Sequence, residues 1–245
     1  MPAGDLEFRY RFWVIFGLFW LGFSCYYVDH TNVAEWLVAL AAPGLDTERQ
    51  RHVLQGVFGV AAFLALASAA LRSWASAYLR SEVVHDTAVH TETLVADGPY
   101  RHVRNPLYLG TYLMTLGMAL VMSRLGAVVV LAGQAIFLLR LIGREEAALT
   151  AAGGDRFRAY QAAVPRLVPS LAPRVPNGRT RAHVAEGAIG EAFSWILGLA
   201  LLLFALTLNS RIILYAVGVG FVVYWLLFVV WKKRGRSSGP APSAP

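Results

Sequence analysis

Two groups of residues in this chain have types and spacings that could do chemistry. The first runs from Asp97 to Gly110 and reads Asp-Gly-Pro-Tyr-Arg-His-Val-Arg-Asn-Pro-Leu-Tyr-Leu-Gly. The second is the acidic pair Glu145-Glu146. Gly98-Pro99 makes a turn, and Tyr100, Arg101, His102 and Arg104 follow before Asn105-Pro106 opens an apolar segment. Proline suits a first helical position, where its missing N–H costs nothing. The start of that helix offers unpaired N–H groups that attract carboxylate or phosphate, and arginine adds bidentate hydrogen bonds to the same groups. Tyr108 can present a ring face to a cation. Gly110 would let a bulky ligand approach the backbone. A carboxylate from Glu145 or Glu146 could take an ammonium or a ribose diol. Together these groups suit a ligand that carries a carboxylate, an amine and a sulfonium. The same residues also have a plainer use. Arg101, Arg104, Arg140 and Arg144 suit anchoring to lipid head groups, with Glu145 and Glu146 as their counter-ions.

The elements that must hold these residues are set by hydropathy. The chain has 245 residues, 57% of them hydrophobic and only 15% charged, and its mean hydropathy is +0.51. A soluble core of this size cannot hide that much apolar surface. About 20 helical residues cross a bilayer, and six apolar runs approach that length: 12–28, 53–71, 107–122, 125–139, 188–208 and 212–231. The expected fold is therefore all-α and polytopic, with about six transmembrane helices. The third and fourth runs, parted only by Ser123-Arg124, form a tight hairpin that brings Glu145-Glu146 back beside the 97–110 segment. The pocket is expected there, made by these two spans and their adjoining loops.

Basic residues orient the chain. With the N-terminus inside, only Arg49, Arg51, Arg124 and Arg211 fall outside, as the positive-inside pattern requires. The net charge of +7 then reflects topology and anionic head groups. No basic, aromatic-interleaved soluble face suggests nucleic acid. The expected location is a bacterial inner membrane, with both termini and the pocket cytoplasmic.

The organisation follows: residues 1–92 form two spans with loops, 93–170 a core (catalytic by the resemblance described below), 171–187 a linker, 188–234 a C-terminal hairpin, and 235–245 a disordered tail. Residues 145–163 read as an amphipathic helix interrupted at Gly153-Gly154, and 164–169 as extended chain, which residues before proline prefer. The apolar piece 33–42, ended by Pro43-Gly44, is too short to cross. The first span lacks a small-residue cleavage pattern and should be retained. Cys25 is the single cysteine and reads as a packing residue. His85 and His90 share a polar loop, but no third ligand has a fitting spacing, so no metal is expected. Gln134, in mid-span, suits a bond between helices.

Gly98-Pro-Tyr-Arg-x-x-Arg-Asn-Pro-x-Tyr-x-Gly110, followed by Glu145-Glu146, Leu149, Gly154, Tyr160 and Val164-Pro-Arg-x-x-Pro169, resembles the isoprenylcysteine carboxyl methyltransferase family. Its membrane-embedded relatives include the phospholipid N-methyltransferases. The resemblance covers about residues 93–170. It implies S-adenosylmethionine as cofactor and methyl transfer to a lipophilic acceptor from the bilayer, either a lipid carboxylate such as a prenylated cysteine or a lipid amine. By the motif, Tyr100, His102, Asn105, Pro106, Tyr108, Gly110 and Glu145 would bind the cofactor, and Arg104, Glu146 and Arg166 would be catalytic. The family usually has histidine where this chain has Asn105. Gly153-Gly154-Asp155 replaces a usual aromatic-glycine pair, and Phe157 a common tyrosine. Two other readings compete. One is a steroid-reductase-like membrane enzyme, whose NADPH phosphate would suit Arg101 and Arg104. The other is a non-catalytic lipid-binding protein.

Overall fold

The computed structural model describes residues 2–79 and 96–237, and among these the chain is helical with no strand. His85 and His90 lie outside the described residues. The helices are α1 (Asp5–Arg9), α2 (Arg11–Ser24), α3 (Val33–Ala41), α4 (Thr47–Ser76), α5 (Pro106–Ala119), α6 (Arg124–Ala163), α7 (Val184–Gly190), α8 (Ala192–Thr207) and α9 (Ser210–Ser237). Short polar side chains set several starts, accepting from the N–H groups a first turn leaves unpaired. Asn32 Oδ1 takes Ala34 N at 2.8 Å, Asp46 Oδ1 takes Arg49 N at 2.9 Å, and Ser123 Oγ takes Gly126 N at 3.1 Å.

α4 is the central post, with α5 and α8 packed along it. Its inward stripe is nearly all alanine: Ala61, Ala62, Ala65 and Ala69 are fully buried. Small residues let backbones approach, as in helices packed within lipid. A Cβ on Gly117 of α5 would sit 2.6 Å from the Ala61 carbonyl oxygen. The outer faces are apolar instead, with Trp13, Phe16, Trp20, Phe63, Ile136 and Leu206 all exposed. Such a surface fits a hydrocarbon surround.

α4 has 30 residues and α6 has 40, and both are long and apolar enough to cross a membrane. α7 and α8, bent by 64° at Glu191, could together make a third crossing. The expected six runs all fall on helices, but α2 and α5 have only 14 residues each. That is about 21 Å of helix, short of a hydrocarbon core of about 30 Å. The apolar runs were longer because they took in turn residues such as those at 120–122 after α5. The piece 33–42 is the short helix α3, and its Asn32 bridges to Ser123 beside the α5–α6 turn. Gln134, fully buried, donates to the Ile15 carbonyl of α2 at 3.0 Å, the bond between helices expected of it.

The segment 145–163 is not a separate helix. It continues α6, broken at Gly154, whose φ of 52° is a left-handed value that glycine adopts without strain. Val164 is extended, as expected before Pro165. Residues 171–182, expected as a linker, run as an irregular strap bonded to the 97–102 segment.

Candidate functional site

The site forms where the start of α5 meets α6 beyond its apolar stretch. Gly98, at φ 56°, turns the chain against the ring of Tyr78, and a short 3-10 helix carries it through Arg101. Asp97 anchors this turn from a buried position, accepting from Gly178 N at 2.6 Å and Thr180 N at 2.8 Å. Burial by itself would raise its carboxyl. Hydrogen bonds from the Thr180 side chain and backbone and from Gly178, with the Arg101 charge, outweigh that and hold it below the usual carboxylate range. The strap is pinned twice more, by Arg174 N on the Arg101 carbonyl at 2.8 Å and by Arg101 Nε on the Val175 carbonyl at 2.9 Å.

Glu146 is the hub. Its Oε1 accepts from Asn105 Nδ2 at 3.0 Å and pairs with Arg104 Nε at 3.4 Å, while its Oε2 pairs with Arg166 Nε at 3.0 Å. Asn105 Nδ2 also reaches the Arg166 carbonyl at 3.1 Å, and Arg104 holds the Gln161 carbonyl through Nη1 at 3.1 Å. The carboxylate beside the start of α5 is thus the protein's own. Negative charge is favoured there by the helix dipole. Four residues singled out by sequence, Arg104, Asn105, Glu146 and Arg166, are one connected cluster.

Glu145, next along α6, faces different partners. Its Oε1 accepts from the Tyr108 hydroxyl at 2.6 Å. Arg11, buried at the start of α2, acts electrostatically on both. Tyr100 is buried too, and its hydroxyl has no hydrogen-bond partner among the described residues. Burial pushes that hydroxyl well above its ordinary pKa, so it stays protonated and available to donate. Its backbone carbonyl takes the Tyr160 hydroxyl at 2.8 Å.

Three expected residues stand apart. His102 shares a bond with the Ser170 carbonyl at 2.8 Å and lies against Trp74, so it fixes the strap. Pro106 is buried at the first turn of α5. Gly110 faces α4: a Cβ there would overlap Arg72 Cγ and sit 3.4 Å from the Ser68 carbonyl oxygen. Helix packing therefore accounts for that glycine. Among the described residues no group of three His, Cys, Asp or Glu side chains could hold a metal.

The residues missed in the sequence are Gln161, Arg11 and the pair Arg72 and Glu191, while Asp97 stands there only as the start of its segment. The pair carried a readable signal, since Glu191 is a lone charge inside the apolar run 188–208 and Arg72 directly follows the run 53–71, where charges are costly and seldom idle.

A helical membrane protein with an arginine- and carboxylate-rich cluster at the end of two adjoining helices is the class these features define. The phospholipid methyltransferase family model matches residues 54–154. That segment, somewhat under half of the chain, is therefore similar to the membrane-embedded methyltransferases that the motif resembles. No curated protein and no solved structure matches the chain. The match runs from α4 through the Gly154 break. It supports a membrane methyltransferase acting on lipid, and it lends the reductase and non-catalytic readings nothing. Arg166, Glu191 and the last three helices lie beyond it.

Proposed function

We propose that this protein moves a methyl group from S-adenosylmethionine to a lipophilic acceptor, a lipid carboxylate or lipid amine, at the Tyr100–Tyr108–Glu145 side of the cluster. The observation that carries this reading is the contrast between neighbouring carboxylates. Glu146 is saturated by Arg104, Asn105 and Arg166, whereas among the described residues Glu145 takes a single bond, from Tyr108, and the Tyr100 hydroxyl has no partner. A buried donor without a partner is expensive to maintain and fits a site completed by a polar ligand.

The residues fit the cofactor's chemistry. Glu145 offers a carboxylate to an ammonium, the Tyr108 ring an aromatic face to a cation, and Tyr100 a donor to a carboxylate. S-adenosylmethionine, when bound, would supply a methyl group already activated by its sulfonium. The chain's own part is then alignment and exclusion of water. The Asn105 amide does not titrate, and both Glu146 oxygens are engaged by Asn105 and two guanidiniums, so neither side chain is free to serve as a base. A carboxylate acceptor needs none, and an amine must arrive neutral. Arg166 is the more exposed of the two arginines, 42% against 14% for Arg104, and is assigned to an acidic acceptor or head group. Six crossings, cytoplasmic termini and a cytoplasmic site complete the proposal, supported by the distribution of Arg and Lys.

The test is a thermal-stability titration of the purified chain with S-adenosylhomocysteine and, separately, NADPH. A ligand that binds the folded state raises stability by RT ln(1 + [L]/Kd). Stabilisation by S-adenosylhomocysteine alone is the expected result. A response to NADPH alone would transfer the site to a reductase.

A further inference from the structure

The bend between α7 and α8 holds Glu191, which is 3% exposed although it interrupts an apolar stretch. Its carboxylate grips Arg72 of α4 with both oxygens: Nε to Oε2 at 2.7 Å and Nη2 to Oε1 at 2.8 Å. Ser194 Oγ adds a bond at 3.0 Å. This fork-to-fork geometry is the strongest arrangement available to the two groups. The guanidinium's remaining arm does not stay within that pair. Arg72 Nη1 crosses to α5, donating to Thr111 Oγ1 at 2.7 Å and to the Leu107 carbonyl at 3.3 Å. Behind it, the Arg72 stem fills the space that a side chain on Gly110 would need, and Ser68 Oγ donates to the Gly110 carbonyl at 2.6 Å.

Helical geometry turns these bonds into a constraint on the site. Successive residues are about 100° apart around a helix, so 107, 110 and 111 share one face and 108 lies on another. While Arg72 holds the first face against α4, Tyr108 is directed at Glu145, to which it bonds. We infer that Arg72, locked by Glu191, is a positioning residue that fixes the rotation of the first turns of α5, and that the C-terminal helices therefore complete the working site. The Arg72–Glu191 pair joins the family-matched segment to helices outside it. The inference rests on the methyltransferase reading only where ligand affinity is measured.

The experiment compares full-length wild type with Glu191→Gln and Thr111→Val in lipid nanodiscs. It reads hydrogen–deuterium exchange over residues 106–112 and the Kd for S-adenosylhomocysteine, with cooperative thermal unfolding as the check on folding. Glu191→Gln is expected to speed exchange in 106–112 at least tenfold and to weaken the ligand at least tenfold. Thr111→Val keeps the ion pair but cuts its reach to α5, and should show the same two changes at about threefold. It carries the test if Glu191→Gln does not fold. Folded variants whose exchange and Kd both stay within twofold of wild type would overturn the inference. So would a lower unfolding temperature with no change over 106–112, since that is a purely structural role. If wild type fails to bind S-adenosylhomocysteine, the cofactor reading fails, while exchange over 106–112 still decides the positioning.

Discussion

Two arginine–glutamate clusters lie on opposite sides of α5 and behave differently. At the Arg72–Glu191 pair the guanidinium and carboxylate meet two bonds to two and are turned inward, and the side chains are 19% and 4% exposed. At Glu146, two arginines share one carboxylate, and one of them is 42% exposed. The first cluster is closed on itself and on α5. The second opens toward the surface, where a ligand or lipid can exchange with its partners. The comparison teaches that the same chemical pair suits positioning when it is closed and, under the proposed function, ligand handling when it is open. Burial and the surplus of cations distinguish the two.

The largest expected effect follows from breaking the closed pair from one side. Glu191→Ala leaves a buried guanidinium uncompensated and should cost about 3–5 kcal/mol of stability, measured by denaturant unfolding in mild detergent. Replacing both partners, Arg72→Met with Glu191→Leu, should recover most of that loss. If the double variant were as unstable as the single one, the pair would not be the closed unit described. Next comes the open cluster. Glu146→Gln keeps the shape but removes the charge that Arg104 and Arg166 share. Gln keeps an acceptor for Asn105 and Arg166 is 42% exposed, so the expected stability loss is about 1.5–3 kcal/mol, smaller than for Glu191→Ala, with methyl transfer falling further than stability. Equal losses in both clusters would erase the distinction.

Tyr108→Phe removes one hydroxyl bonded to Glu145 and nothing else that the described residues share with it. About tenfold weaker S-adenosylhomocysteine binding is expected, or about 1.4 kcal/mol, with a loss of about 1 kcal/mol in unfolding free energy. Isothermal titration would check it. The smallest effect belongs to the far end of α6, where Asp29 pairs with Arg124 at 3.0 Å. Hydrogen bonds from the Arg124 side chain and the Leu125 backbone hold the Asp29 carboxyl at about 2, below the ordinary 3.8. A lowered folded-state value stabilises the protein above the unfolded value and stops doing so as pH falls through the folded one. The Tm difference between wild type and Asp29→Asn should therefore be steady above about pH 4 and vanish toward pH 2, and its size should be modest for so exposed an arginine. A difference that grew on acidification would reverse the sign of this assignment.

Much of the site could be read from the chain because it is local. The start of α5 at Pro106, the turn at Gly98 and the extended Val164 each follow from backbone chemistry that proline and glycine impose on their neighbours. The hairpin of α5 and α6 follows from two apolar runs with a two-residue gap, and it brings Glu145-Glu146 beside Asn105 and Tyr108. Other roles were hidden. Gly110 has the same place in the motif whether it admits a ligand or an arginine stem, and only the packing of α4 decides. The 171–182 segment looks like a linker by its proline, glycine and arginine content. Its ties to Asp97 and Arg101 depend on groups 74 to 83 residues away in sequence.

The amino-acid order alone determined that this protein is helical, apolar and suited to a membrane, and it singled out one short segment and one acidic pair that the fold brings together. Hydropathy and backbone preference act within a few residues, so no fold is needed to read them. Tertiary structure alone decided which glutamate is saturated and which faces Tyr108, and that an arginine in α4 answers a glutamate 119 residues later. Pairing of buried charges depends on which helix faces meet, and those faces are chosen by the packing of the whole bundle.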